Sequence, residues 1–387
     1  MKKKLKDICT QVRGVSYKPS DLRDEKSGVP ILRANNIQDT GIVLDELVYV
    51  DSSKVHSEQY LLTDDIVICT SSGSKNLIGK AATFKSSLNA SFGAFCKVVR
   101  INNSDDLFKA YIQQYFQSKI YRNAISESSA GANINNIKTE DIETLEISLP
   151  PKEDQQKIAA ELDTIQSAID NKKQQLSLLD EAVKSEFVEM FGDPHNNTKY
   201  PYKTVGEFTT VTSGGTPDRK NNEYWKNGNI PWVKTTELQN NELTKVEEFI
   251  TQKGLNESSA KIMPIGTLLI AMYGQGKTRG MTAYLGIEAS TNQACACILP
   301  SEAINQKYLW YYFILSYDKL RDLAKGGNQP NLNGNMIKNF SILMPPIEMQ
   351  KEFVSFVQQI DKSKFIVKQQ IADLQELLDS KMQEYFS

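Results

Sequence analysis

The chain has 387 residues, 40% of them hydrophobic, with 45 lysines and arginines against 47 aspartates and glutamates and only two histidines. That length suits two or more folded units with ample core material, and no run of about 18 apolar residues exists to cross a membrane. The basic opening MKKKLKDICT has no apolar stretch behind it, so no signal peptide is expected. The odd, unpatterned set Cys9, Cys69, Cys96, Cys295 and Cys297 points to reduced thiols in a cytoplasmic protein.

The predicted elements begin with a mixed α and β globule, residues 1–148, of short strands and turns: PILR at 30–33, DIVI at 65–68 with a Ser/Gly loop behind it, then GANIN at 131–135 and the alternating strand LEISL. LPPKEDQ at 149–155 opens a long helix, since proline is tolerated in a first turn and acids suit its positive end. Gly192 and Pro194 stop it. Apolar seam positions recur at spacings of 3 and 4: Ile158, Leu162, Ile165, Ile169, Lys172, Leu176, Leu179, Val183, Glu186 and Met190. A seam sustained this long indicates a coiled coil.

A second mixed globule, residues 193–343, repeats the plan: PWVK at 231–234, TLLI at 267–270 before a YGQG loop, a helix over 308–323, GNQPN at 327–331 and the strand FSILM. MPPIEMQ at 344–350 then opens a second helix with the seam Phe353, Val357, Ile360, Lys364, Val367, Ile371, Leu374, Leu378, Lys381 and Tyr385. The two helical segments match without a gap at an offset of 195, as Leu149 to Met344 and Met190 to Tyr385 show. The chain is an internal duplication. An intramolecular helix pair explains why both copies sit in one chain, and Lys172 and Lys364 interrupt the seams where a polar residue fixes register.

AMYGQGKT at 271–278 raises the possibility of a phosphate-cradling P-loop. A true P-loop opens a helix, whereas the residues that follow, RGMTAYLG, alternate as a strand does. The matching loop of the first globule, CTSSGSKNLIG, lacks GK[ST], so ATP hydrolysis is not the expected activity. With only His56 and His195 available, neither a metal site nor a nucleophile with a histidine base is expected.

The whole pattern resembles the specificity subunit of type I restriction-modification systems. The resemblance rests on QPNLN at 329–333, the two PP helices, IPWVKTTEL at 230–238 and LLIAMYGQGKTRG at 268–280. It implies an α+β architecture with pseudo-twofold duplication: two target recognition domains, 1–148 and 193–343, separated by conserved spacer helices, 149–192 and 344–387, forming an antiparallel coiled coil. It also implies a non-catalytic protein that reads a bipartite, asymmetric site in double-stranded DNA, one half per domain, with the helices setting the spacing. Implied partners are two methyltransferase subunits and, through them, restriction subunits. S-adenosylmethionine, ATP and magnesium would sit on those partners, with no cofactor or metal on this chain. In agreement, neither an S-adenosylmethionine glycine loop nor [DN]PP[YFW] occurs, because LPPK and MPPI lack the acid or amide and the aromatic.

Charge is distributed in keeping with this reading: 19 cations to 18 anions in 1–148 and 16 to 13 in 193–343, against 5 to 9 and 5 to 7 in the helices. Such mildly cationic globules are expected to bind DNA weakly without partners. Candidate DNA-binding residues come from loops at corresponding places in the two repeats. In the first they are Arg33, Asn35, Asn36, Ser71, Ser72, Ser74, Lys75, Lys80 and Asn133; in the second, Lys234, Thr235, Thr236, Tyr273, Gln275, Lys277, Arg279, Asn292, Gln293 and Gln329. Arg and Lys suit guanine edges and Asn and Gln suit adenine. A coiled-coil scaffold with protein-binding globules is the alternative.

Overall fold

Each PP segment starts a helix of 40 residues, Lys152–Phe191 and Ile347–Phe386. The glutamine that ends each motif explains part of its pattern. Gln155 turns back to donate to the carbonyl of Pro150 at 2.7 Å, and Gln350 donates to Pro345 at 2.8 Å, so each proline-bounded entry is tied down by its own helix. In this computed structural model the described residues are 1–387 apart from 39, 40, 75, 104, 130–135, 275 and 325–330. No helix among them is long and apolar enough to span a membrane.

Packing divides the chain into two compact units, Met1–Gln174 with Lys368–Ser387, and Gln175–Val367. The expected four-segment plan placed boundaries at the helix ends; the packing instead cuts both helices. Each unit holds one globule, the half-helix joined to it and the opposite half of the other helix. The antiparallel arrangement requires this division, because the start of one helix lies beside the end of the other.

In the first unit, Lys2–Lys4 pairs with Glu146–Ser148, bringing the chain start to the strand just before the long helix. An antiparallel sheet runs in the order Cys9–Arg13, Cys96–Ile101, Ile66–Cys69, Ala81–Thr83. A second sheet runs Ser91–Phe92, Val29–Leu32, Val48–Val50, Leu22–Arg23, its first pair parallel. Helices Asp106–Gln117 and Lys119–Ser129 supply Tyr111, Tyr115, Phe116 and Tyr121 to a core shared with Leu162, Ile165, Ile169, Leu378, Met382 and Phe386. The Phe386 ring lies 5.2 Å from that of Tyr111 and 5.7 Å from that of Tyr115.

The second unit repeats this scheme. Tyr202–Thr204 pairs with Ser341–Leu343, and a sheet runs Val211–Ser213, Cys295–Ile298, Leu268–Ala271, Thr282–Leu285, Asn241–Leu243. A smaller sheet runs Glu248–Ile250, Ile230–Val233, Ser290–Thr291, its last pair again parallel. The helix expected over 308–323 is two, Gln306–Leu315 and Tyr317–Asp322, parted at Ser316. The first buries Tyr308, Tyr312 and Phe313 against Phe187, Phe191 and Phe353. Ring separations of 5.0 Å for Phe187 with Phe191 and 5.4 Å for Phe187 with Phe353 define an aromatic knot.

The helix seams depart from expectation at their C-terminal ends. Phe187 and Phe191 are buried in place of Glu186 and Met190, and Met382 and Phe386 in place of Lys381 and Tyr385. A 3.6-residue helix drifts relative to a 3.5 repeat, and here the drift turns the stripe onto the globule. Lys381 and Tyr385 instead meet Glu161, at 3.3 and 2.6 Å, and Lys364 lies 2.6 Å from Asp180. Phe187→Ala should cost about 3–5 kcal/mol through the cavity it leaves, while Glu186→Ala should stay within about 0.5 kcal/mol. Denaturant titration of both variants checks this, and equal midpoints would contradict the placement of the seam.

Candidate nucleic-acid interface

The GQGKT segment joins two neighbouring antiparallel strands, Leu268–Ala271 and Thr282–Leu285, and across its base Gly280 N–H donates to the Ala271 carbonyl while Ala271 N–H donates to that of Met281, each at 2.9 Å. No helix follows, so the phosphate-cradle geometry is absent here. The loop is a hairpin whose glycines permit left-handed backbone: Gly274 has φ +137°, and a Cβ there would stand 2.8 Å from Cβ of Thr278. Helix Tyr317–Asp322 braces it from below. The Tyr317 hydroxyl donates to the Lys277 carbonyl at 2.6 Å, and the Arg321 guanidinium donates to the Arg279 carbonyl at 2.8 Å. Tyr273 and Lys277 are left exposed and Arg279 half-buried.

Backbone hydrogen bonds gather three further segments at this loop. Met272 N–H donates to Ala294 at 2.8 Å, Asn292 N–H to Val233 at 3.1 Å, and Gly215 N–H to Thr291 at 2.8 Å. The approach at Gly214 is so close that a Cβ would fall 2.1 Å from the Thr291 carbonyl oxygen. This junction assembles Lys234, Thr235, Thr236, Tyr273, Lys277, Arg279, Asn292 and Gln293 from three parts of the sequence. Gln293 is exposed, with its side-chain oxygen accepting from Thr216, while the Asn292 side chain caps its own turn at Ala294 N–H, 3.2 Å away.

Lys234 is not a free cation. Its ammonium lies 2.7 Å from Glu247 and 3.0 Å from Glu248, and these hydrogen bonds hold its pKa above the usual lysine value. Glu248 also pairs with Arg219, whose guanidinium stacks 3.8 Å from the Trp225 ring and 4.5 Å from the Trp232 ring. Sequence reasoning did not single out Arg219, although the DRK triplet and the two nearby tryptophans carried the signal.

The first unit builds the same junction. Val15 N–H donates to Phe92 at 2.8 Å, Gly93 N–H to Leu32 at 2.9 Å, and Thr70 and Ser71 N–H both to Phe95, at 2.9 and 3.1 Å. Arg33 and Asn35 thus sit at one loop mouth with Ser71, Ser72 and Ser74. The Arg33 guanidinium donates to the Glu46 carbonyl at 2.9 Å, and the Ser72 hydroxyl accepts from Ser74 N–H at 3.1 Å. Lys80 closes the base of its loop through backbone bonds to Leu77 and Cys69.

Asn36 does not belong with these residues. It is 2% exposed, its amide donates to the carbonyls of Val43 and Asp45, each at 2.9 Å, and its oxygen accepts from Arg33 N–H. All of its hydrogen-bonding capacity serves the turn, which is why an asparagine occupies the third position of this loop. Lys75, Asn133, Gln275 and Gln329 lie outside the described residues.

Groups with latent chemistry elsewhere are held inert. All five cysteines are free and buried, and burial pushes the thiols of Cys9 and Cys96 up to about 12 and that of Cys297 to about 11. None is a thiolate at neutral pH. His195 is half-buried beside the Tyr312 and Phe340 rings, and desolvation holds its imidazole below the ordinary range. Among the described residues no cluster of three or more His, Cys, Asp and Glu side chains is arranged to hold a metal ion.

Comparison with known proteins agrees with the duplicated plan. Residues 1–181 and 197–376 each match the type I restriction modification DNA specificity domain. The StySPI specificity subunit of Salmonella potsdam is 29% identical over 378 residues, covering 91% of this chain and 80% of that one. The EcoKI specificity subunit of Escherichia coli K12 is 39% identical over 181 residues, 46% of this chain and 38% of that one. Among solved structures, a chain from a study of type I R-M complex assembly and conformational transition aligns over 100% of this chain and 97% of its own, with a TM-score of 0.58 at 16% identity. The S subunit from M. genitalium aligns over 100% and 96%, with a TM-score of 0.52 at 13% identity. A duplicated globule and helix, with a family match on each copy, make this chain a member of the type I restriction-modification DNA specificity family.

Proposed function

We propose that this chain is the non-catalytic DNA-reading subunit of a type I restriction-modification complex, with the loop junction of each unit reading one half of a bipartite, asymmetric duplex site. The observation that carries this reading is the junction itself, built twice from the same backbone bonds and dressed with different side chains. One copy presents Arg33, Asn35 and serines; the other presents Thr236, Tyr273, Lys277 and Gln293. Repeated backbone with divergent loop chemistry suits a protein that holds two halves of a duplex alike while reading different bases.

The helices serve as spacer and docking platform for two methyltransferase subunits, through which restriction subunits join. Exposed apolar side chains support that role: Phe365, 70% exposed, with Ile366, Leu178 and Val188 in the second unit, and Leu377 in the first. S-adenosylmethionine, ATP and magnesium belong to the partners. The globules carry so small a cationic excess that strong binding needs the partners to close around the DNA.

Two substitutions test the assignment in the assembled complex. Arg279→Ala, if its side chain reads a base, should relax specificity at one position of the second half-site, costing about 1–3 kcal/mol there. A uniform loss on all sequences with a shallower salt slope would make it a phosphate contact, and no change in either would remove it from the interface. Asn36→Ala should behave in the opposite way. Removing the three side-chain hydrogen bonds to Val43, Asp45 and Arg33 should lower the stability of the first unit by about 1–3 kcal/mol while leaving the base preference of the folded complex intact. Altered base preference at full stability would restore Asn36 to the reading surface.

A further inference from the structure

The first unit displays an aromatic ring that none of its strand patterning predicts. Phe95 lies in SFGAFCKVV, a run whose apolar character suggests burial, and its neighbours Phe92 and Cys96 are 0% and 1% exposed. Phe95 itself is 69% exposed. A ring left in water forgoes about 1.5–3 kcal/mol of burial, and nothing in the local backbone forces it outward by looseness. Its carbonyl accepts three hydrogen bonds, from Thr70 N–H at 2.9 Å, Ser71 N–H at 3.1 Å and the Thr70 hydroxyl at 3.1 Å. The turn is pinned on both sides, since Ala94 N–H donates to Val15 at 3.0 Å and Cys96 N–H to Gly93 at 2.8 Å.

Those same bonds place Phe95 within the junction, its backbone joined to the segments that carry the polar residues. Thr70 and Ser71, held by the Phe95 carbonyl, begin the loop carrying Ser72 and Ser74, and Gly93, two residues before Phe95, is bonded to Leu32 next to Arg33. The second unit makes the corresponding bond from Met272 N–H to Ala294, so alanine stands where Phe95 stands, and the exposed aromatic there is Tyr273, on the other strand of the same contact. Each junction therefore presents one aromatic ring, from opposite sides of one hydrogen-bonded pair.

We infer that Phe95 is a base-contacting residue of the first half-site, its ring packing against or wedging between bases while Arg33, Asn35 and the serines meet polar groups around it. This rests on the reading of the junctions as DNA-recognition surfaces. A fixed apolar ring in a polar loop mouth suits thymine methyl groups and the faces of partly unstacked base steps, and it has no favourable interaction with phosphate.

The test uses the full chain assembled with its methyltransferase subunits, comparing wild type, Phe95→Ala and Phe95→Tyr on duplexes that carry the site or single changes in either half. Phe95→Ala should weaken binding to the intact site on the order of 10-fold to 100-fold. The salt slope, the affinity for unrelated DNA, the thermal midpoint and complex assembly should all stay unchanged, and base preference should relax in the first half-site alone. Phe95→Tyr should restore most of the affinity, and 2-aminopurine placed in the first half-site should report a change in stacking that Phe95→Ala abolishes. Unchanged affinity and preference in Phe95→Ala overturn the inference while leaving the subunit's role standing. Failure of Phe95→Ala to assemble with the methyltransferase subunits also overturns it, by showing a protein contact. A wild-type complex with no split site defeats the underlying reading and the inference with it.

Discussion

Burial of aromatic side chains at the ends of the two long helices is the constraint on which the rest depends. Phe187, Phe191 and Phe353 enter the same core as Tyr308 and Tyr312, and Phe386 enters that of Tyr111 and Tyr115. Most of the stability of such helices comes from packing an apolar face rather than from helix propensity. Because each helix end is packed into a globule's core, each half-helix pair and the loops of its globule belong to the same compact unit.

The junctions solve a second problem, which is to vary side chains without losing shape. Their frame is made of backbone hydrogen bonds and close glycine contacts, as where Gly14 and Gly214 approach the carbonyls of Gly93 and Thr291. Side chains such as Ser71, Tyr273 and Lys277 project from that frame without holding it together. Other polar residues of these loops, Asn36 in the first unit and Lys234 in the second above all, are bound into the frame by hydrogen bonds and ion pairs. A polar residue in a recognition loop is therefore as readily a strut as a reader, and its partners decide which.

Much of the architecture is legible in the sequence because duplication writes each signal twice. The PP motifs, the stop at Gly192 and the strand that follows GQGKT lead to helices and a hairpin where the structure has them. The seam is misread at Glu186, Met190, Lys381 and Tyr385 because periodicity records a repeat and not its gradual rotation onto a globule. Asn36 reads as a surface residue because its burial depends on carbonyls seven and nine residues away. Phe95 escapes notice for the converse reason: its apolar neighbours suggest burial, and its exposure follows from a turn held by bonds with distant residues, Val15, Thr70 and Ser71.

The central claim is that one chain carries two separate reading surfaces for a split DNA site. Adenine methylation across the genome, compared between cells holding the cognate methyltransferase subunit with this chain and cells holding the methyltransferase alone, tests it most directly. The account predicts methylation at a bipartite, asymmetric motif that appears only when this chain is present. A stable complex that methylates no such motif, or that methylates the same sites without this chain, would contradict it.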